Sequence, residues 1–236
     1  MPNPIRPNHR SKVSIPAHPI VTRATPFAIF IASVALSSLI PEFDPPARDL
    51  RWLSIFRDAV IVCALAYFWP SYGELRAPGD TKWHHWLLAL VSGLAVFVVW
   101  IHFDHGWAVI GQTRGFDPTD PAGGIEPPLA ALRLLGFALV VPVMEELFWR
   151  SFLLRWLDSR DFIAADPRRA SPRALALSTA LFASEHSLWF AGLIAGLTYN
   201  WIYVRTRNLW IPIASHAMTN GALGIWILAT RNWALW

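Results

Sequence analysis

The sequence predicts an all-α fold, a polytopic membrane helical bundle of about seven to eight helices, and three observations lead to that prediction. Of the 236 residues, 54% are hydrophobic and only 15% are charged, against about 25% charged in soluble domains. Fourteen Trp and fourteen Phe add to the apolar content. Long uncharged runs recur along the chain. A soluble domain of this length would struggle to bury so much apolar surface, and the net charge of +4 is too small and too scattered to indicate nucleic-acid binding.

The first element is a tail. Residues 1–23 contain four basic side chains, five prolines and no acid, which is typical of a disordered or surface-lying segment. We expect this basic, Pro-rich tail to be cytoplasmic and residues 24–236 to form a single membrane-embedded domain. The single cysteine, Cys63, excludes internal disulfides and a multi-cysteine metal cage.

Seven uncharged apolar stretches follow, and each predicts a helix. They are residues 27–40, 59–70, 86–103, 134–144, 174–184, 187–204 and 209–230. Several are shorter than the roughly 20 residues that cross a bilayer. We therefore expect them to extend into their charged flanks, to tilt, or to end inside the bundle.

The distribution of Lys and Arg predicts the orientation of this bundle. With seven spans, thirteen basic residues fall on the side of the N terminus and four on the other side. Because cytoplasmic loops carry the excess of basic residues, the N terminus is expected in the cytoplasm. The predicted location is the cell membrane, as a multi-pass protein of a bacterial inner membrane.

Three charged residues interrupt the fourth span and are the first candidates for a functional site. Glu145, Glu146 and Arg150 follow the apolar run directly, and charges at membrane depth are expensive and usually functional. Glu146 and Arg150 are four residues apart, so they should pair on one helix face. Glu145 is rotated by about 100° and is left free to act as a general base. The structural alternative is that both acids share Arg150 as a buried ion cluster that fixes helix packing.

Two later spans carry further polar groups, His186 in one and His216 with Asn220 in the other. His216 and Asn220 are four residues apart and share a helix face. Counted at 1.5 Å per residue, Glu145, His186 and Asn220 lie roughly 17 to 20 Å from the cytoplasmic ends of their helices, with His216 nearer 10 Å. Three helices are thus expected to deliver these four groups to a similar layer.

Together these groups suit the hydrolysis of a carbonyl compound by an activated water. Glu145 would remove a proton from the water and His186 would hold or polarise the same water. His216 and Asn220 would donate hydrogen bonds to the oxyanion that develops.

The same residues resemble the successive motifs of the CPBP family, the CAAX-protease and bacteriocin-processing membrane proteins also called the Abi family. The resemblance covers residues 128–236 and implies a glutamate-dependent intramembrane endopeptidase, similar to CAAX prenyl endopeptidases. It places Glu145, His186, His216 and Asn220 at the family's catalytic positions, with Glu146 and Arg150 in support. Residues 148–155 and 216–236 further resemble the CAAX prenyl protease-related branch, which implies a functional link to exosortase systems. Glu185 is an acid that the family pattern does not require.

Other functions remain open from the residues alone. Glu145, His186 and His216 could instead bind zinc, although the His-Glu-x-x-His signature is absent from the sequence and Asn220 suits an oxyanion better than a metal. A non-catalytic membrane partner or immunity protein could use the buried charges to fix helix register. A proton-coupled transporter could use them as a relay. We expect no cofactor, and as partners a membrane-associated peptide or protein substrate and the lipid bilayer.

Overall fold

The computed structural model describes residues 18–39, 50–77, 79, 81–111 and 115–236. Most of the predicted tail lies outside these ranges, as do Arg48 and Arg114, which contribute to the charge count. In the described ranges the chain forms helices and turns, with a single β-bridge between Thr119 and Ile125. The predicted all-α helical bundle is therefore confirmed.

Eight helices are present in the described part of the chain. They are α1 (Pro19–Leu39), α2 (Trp52–Phe68), α3 (Gly73–Arg76), α4 (Trp83–His102), α5 (Pro127–Trp156), α6 (Pro172–Ser184), α7 (Trp189–Thr206) and α8 (Trp210–Thr230). Seven of them overlap the predicted apolar stretches, and α3 is a short additional helix. Several begin well before the apolar stretch does, because the helix extends into its charged flank. The fourth predicted span, for example, begins at Pro127, where a proline suits the first turn of a helix.

The beginning of α1 differs from the prediction. Residues 19–23 are helical rather than part of the tail. Arg23 is buried, with 2% of its side chain exposed, and Nη2 donates to Oε2 of Glu74 in α3 at 2.7 Å. The boundary moves because the last basic residue of the predicted tail pairs with the partly buried carboxylate of Glu74, and this pairing ties the start of α1 into the bundle.

The outer surface of the bundle is apolar. Four stretches are long and apolar enough to cross a membrane by length and composition: Pro19–Ser37, Trp52–Ser71, Trp83–His102 and Pro127–Trp156. Large apolar side chains such as Leu36, Phe56 and Ile225 are more than half exposed, which suits contact with lipid rather than water. Most charged residues of α5 are buried inside the bundle, namely Glu145, Glu146, Arg150 and Arg155.

Loops that the Lys and Arg count assigns to the same side of the membrane contact one another in the structure. At one end, Nδ2 of Asn208 in the α7–α8 connection donates to Oγ1 of Thr81 before α4 at 2.6 Å. At the other end, Arg51 before α2 donates to the Thr119 carbonyl at 2.7 Å and to Glu126 at 2.6 Å. Loops assigned to one side by sequence are therefore neighbours in space.

Helix α5 departs from regular α geometry on both sides of its charged residues. Two wide π-helical segments, Gly136–Val140 and Leu147–Leu153, flank a short α-helical piece, Val141–Glu146. Pro142 lies in that piece and cannot donate a backbone hydrogen bond, so the turn before it cannot be a regular one. The segments that flank Glu145 and Glu146 are thus of the kind often found at functional sites.

Small residues bring the helices that carry the site together. A Cβ on Gly93 in α4 would collide with the Ser215 carbonyl of α8, and Oγ1 of Thr219 donates to the Gly93 carbonyl at 2.9 Å. Between α6 and α7, Nδ2 of Asn200 donates to the hydroxyls of Ser178 and Thr179, each at 2.9 Å. Close approach of small residues with buried polar contacts is the usual packing between membrane helices.

Candidate active site

The four predicted catalytic residues line one internal cavity of about 360 Å³. Glu145 comes from α5, His186 from the turn after α6, and His216 and Asn220 from α8. Residues of α1, α2, α4 and α7 complete the wall. The predicted convergence of these four residues is therefore seen in the structure.

Glu145 is placed as the sequence predicts for a general base. Only 4% of the residue is exposed, and Oε2 has no hydrogen-bond partner in the described part of the chain. A buried carboxylate oxygen without a partner is costly. Such an atom is available to a water molecule or a substrate in the cavity.

Glu146 and Arg150 form the predicted ion pair, with Arg150 Nη1 3.1 Å from Glu146 Oε1 and both side chains fully buried. The guanidinium lies over the rings of Phe182 and Tyr199, with its central carbon 4.4 Å and 5.3 Å from their centroids. These cation–π contacts offset part of the cost of burying the charge. Arg150 thus joins α5 to α6 and α7.

The pair has a third member that the sequence did not predict. Nδ1 of His216 lies 2.9 Å from Oε1 of Glu146, and the imidazole stacks on Tyr199 with centroids 4.9 Å apart. If Nδ1 donates its proton to the carboxylate, Nε2 donates only when both ring nitrogens are protonated. The proton count of His216 and Glu146 therefore decides whether His216 can stabilise an oxyanion.

His186 follows the last turn of α6, and its own backbone neighbour fixes its tautomer. Nδ1 lies 2.8 Å from the carbonyl oxygen of Phe182, and since a carbonyl only accepts, Nδ1 carries the proton. Nε2 of the neutral ring is then an acceptor. The ring also packs edge-on against Trp100, with centroids 5.4 Å apart, which limits its rotation.

Asn220 lies one turn beyond His216 on α8. Nδ2 donates to the carbonyl oxygen of Phe137 at 2.9 Å, and Phe137 is in the first wide segment of α5. One N–H of the amide is thus used to orient the side chain, and the second N–H remains for a ligand.

Glu185 is a further acid in the site, next to His186, and it was noted in the sequence only as an acid that the family pattern does not require. One oxygen each of Glu145 and Glu185 and one ring nitrogen of His186 lie within 4.8 Å of one another. Oε1 of Glu185 is buried without a hydrogen-bond partner in the described ranges. Two carboxylates and an imidazole can hold a divalent cation. This cluster differs from the predicted zinc alternative, in which His216 takes the place of Glu185.

Sequence reasoning missed two cations that line the same cavity, Arg57 of α2 and Arg133 of α5. Both lie just outside the predicted apolar stretches, so the sequence predicts that they are loop residues. The expectation that short stretches extend into charged flanks was the available signal.

A larger cavity of about 660 Å³ contains none of the predicted site residues. Its charged lining includes Arg23, Glu74 and Arg155, which are connected to one another through Ser151. We interpret this cluster as structural, since its cations already have acceptors.

The comparison with known protein families gives a match over the part of the chain that carries Glu145, His186, His216 and Asn220. Residues 127–222 match the family model described as Type II CAAX prenyl endopeptidase Rce1-like. This segment is similar to the Rce1-like family. The Rce1-like segment contains Glu145, His186, His216 and Asn220, and it is consistent with the CPBP resemblance of the sequence. At the level of the family, it indicates a CAAX-type intramembrane protease. No curated protein and no solved structure gives a significant match to the chain.

Proposed function

We propose that this protein is an intramembrane endopeptidase that uses a water activated by Glu145 to hydrolyse a peptide bond of a membrane-associated protein or peptide. The observation that carries the proposal is the unpartnered carboxylate oxygen of Glu145, buried in a cavity that His186, His216 and Asn220 also line. The match of residues 127–222 to CAAX endopeptidases supports the same chemistry.

The water would lie between Glu145 and His186. Their nearest polar atoms are within 4.8 Å, and one water can bridge such a gap with two ordinary hydrogen bonds. As the water oxygen attacks the carbonyl carbon, Glu145 takes one of its protons. His186 directs the water through Nε2, because Nδ1 is held by Phe182.

The negative oxygen that forms would be received by α8. The free N–H of Asn220 is one donor, and His216 is the second donor when both of its ring nitrogens are protonated. Glu146 orients His216 through the 2.9 Å contact at Nδ1, so its role is positioning. The tetrahedral intermediate then collapses, the C–N bond breaks, and Glu145 returns its proton to the amine nitrogen.

The same proposal places the N terminus in the cytoplasm and the α5 end that begins at Pro127 on the outer side. The charge bias of the loops supports this orientation, and so do the contacts that group loops of like assignment. Labelling of single cysteines in the α7–α8 and α4–α5 connections of intact cells would test it. If a cysteine in the α7–α8 connection reacted with a membrane-impermeant reagent, the proposed orientation would be contradicted.

The decisive experiment is cleavage by the purified full-length protein and by Glu145→Gln. A quenched fluorescent peptide ending in farnesyl-Cys-Val-Ile-Met is the first probe, since C-a-a-X ends are the prenylated motif, and its unprenylated form is the second. A search for membrane peptides that accumulate with Glu145→Gln extends the test to other substrates. We expect Glu145→Gln to abolish cleavage with folding near normal.

The matched control for that variant is Glu126→Gln, the same change in an acid that pairs with Arg51 outside the cavity. It should cleave at the parent rate. Equal cleavage by the parent and by Glu145→Gln would show that Glu145 is not the general base and would contradict the proposal.

A further inference from the structure

The cavity that holds Glu145 carries charges of opposite sign at two separate places. Glu145 and Glu185 lie beside His186, and Arg57 and Arg133 also line the wall. Arg133 precedes Glu145 by twelve residues on α5, which is about 18 Å along a helix axis. A molecule in this cavity is therefore met by acids at one end and by guanidinium groups at the other.

The two guanidinium groups have one neighbouring carboxylate between them. Nε and Nη2 of Arg57 donate to Oδ1 of Asp58 at 2.9 Å and 2.8 Å. Arg57 and Asp58 are also the electrostatic neighbours of Arg133. Arg133 itself has no hydrogen-bonded acceptor in the described ranges, and its Nε is buried. Among these three residues two positive charges thus share the one carboxylate of Asp58, in a largely apolar environment where an excess charge is expensive.

Aromatic rings cover the face of Arg133 but not its edge. Its central carbon lies 5.1 Å from the centroid of Phe116 and 6.0 Å from that of Trp236. Cation–π contacts of this kind engage the plane of the guanidinium. The N–H groups point outward in that plane, in the fork that matches a carboxylate. The geometry therefore leaves the part of Arg133 that recognises planar anions free.

We propose that Arg133, assisted by Arg57, binds a carboxylate at the end of the peptide that Glu145 hydrolyses. The inference rests on the proposed function and names the substrate group that the far part of the cavity receives. An extended chain rises about 3.4 Å per residue, so a span of about 18 Å corresponds to about five residues. Subtracting the lengths of the Arg133 and Glu145 side chains shortens it, and the carboxylate would lie roughly three to five residues beyond the hydrolysed bond. The opposite charges of the cavity also orient the peptide, since its carboxylate is repelled by Glu145 and Glu185.

A lipid phosphate is the other anion that an arginine near a helix end could meet. The burial of Arg133 Nε and its place in the wall of the Glu145 cavity favour a ligand inside the bundle over a headgroup outside it. Binding measured in nanodiscs of different lipid composition distinguishes a peptide carboxylate from a lipid phosphate.

The test is a binding measurement with the full chain in phosphatidylcholine nanodiscs, in a Glu145→Gln background that prevents turnover. The probes are a fluorescent peptide ending in farnesyl-Cys-Val-Ile-Met with a free carboxylate and the same peptide with a terminal amide. We expect the acid to bind about tenfold more tightly than the amide, as a charge-assisted pair allows. In Arg133→Gln this ratio should fall to about one, whereas affinity for the amide should change little.

Arg231→Gln is the matched control, because Arg231 is an exposed guanidinium that donates to the Gly123 carbonyl outside the cavity. It should keep the tenfold ratio. Equal binding of acid and amide by the parent overturns the proposal without any variant, as does a ratio that survives Arg133→Gln. A preference for phosphatidylglycerol nanodiscs that Arg133→Gln removes, with the acid-to-amide ratio unchanged, would assign the site to lipid and also overturn it. Because no hydrolysis is measured, the outcome is separate from that of the cleavage assay.

Discussion

Nδ1 of His216 lies 2.9 Å from Oε1 of Glu146, and this contact separates the roles of two adjacent acids. Glu146 binds His216 and Arg150 through the same oxygen, whereas Glu145 keeps an oxygen without a partner. One acid therefore joins α5 to α8, and the other is available to the cavity.

Arg150→Ala should lower stability before it affects chemistry. The substitution leaves Glu146 as a buried carboxylate without its cation, which typically costs about 3 to 5 kcal/mol. Thermal melting of the detergent-solubilised protein measures the effect. Arg160→Ala is the control, since Arg160 is exposed and contacts only the Trp156 ring among the aromatic side chains described. Unchanged melting of Arg150→Ala would show that the Glu146 pair is not structural.

Asn220→Ala should reduce turnover more than binding. The change removes a proposed oxyanion donor, and loss of one such donor typically lowers kcat by about 10² to 10³. Separate measurement of kcat and KM on the farnesylated peptide tests this. Asn200→Ala provides the comparison, because Asn200 also uses a buried amide between helices but does not line the cavity; it should lower stability and spare kcat. A loss confined to KM would be inconsistent with an oxyanion role.

The cluster of Glu145, Glu185 and His186 allows a direct test of the metal alternative. We expect cleavage by the purified protein to survive a zinc chelator, because the proposed reaction needs only a water and a base. Elemental analysis of parent and Glu185→Gln measures any bound metal. Stoichiometric zinc in the parent that is lost in Glu185→Gln would replace the general-base mechanism by a metal-bound water.

The pair of Arg23 and Glu74 should make stability depend on pH. Burial alone raises the pKa of Glu74, but the hydrogen bond and charge of Arg23, with the Ser151 hydroxyl, outweigh burial and hold this pKa below its ordinary value of 4.5. A carboxyl whose pKa is lower in the folded state stabilises the fold above its unfolded pKa. That contribution is lost as the pH falls from about 4.5 through the lower folded pKa.

Melting temperatures of the parent and Glu74→Gln between pH 7 and pH 3 test this dependence. The difference between them should be largest at neutral pH and should shrink as the pH falls. The double variant Arg23→Gln/Glu74→Gln serves as the control, because it removes both charges and leaves no buried unpaired cation. A constant difference across the pH range would show that the charge of Glu74 contributes nothing.

Local helical geometry made parts of the site predictable. The pairing of Glu146 with Arg150 follows from a spacing of four residues and is confirmed. The meeting of Glu145, His186 and Asn220 followed from their similar depths along three separate helices, and His216 was expected one turn from Asn220 on the same helix face. The contact of His216 with Glu146 did not, because it depends on how α8 is rotated against α5, and a single sequence does not specify that rotation.

Residues at the borders of spans were the least predictable. Arg57 and Arg133 are inside helices that begin before the apolar stretches do, and hydropathy assigns such residues to loops. Arg23 was assigned to the tail for the same reason, since only the three-dimensional fold brings Glu74 to it. Charged residues that find partners or line cavities extend helices beyond the point at which composition changes.

The wide turns of α5 have a consequence for how the site could be disabled. If Gly136–Val140 tightened to ordinary helical winding without losing a residue, everything on one side would rotate by about 100° relative to the other. Arg133 and Glu145 would then no longer face a common space. The register of the two ends thus depends on the backbone of these five residues. A larger side chain at Gly136, where an added Cβ would collide with the Asp58 carboxylate, would act on it without touching any reacting group.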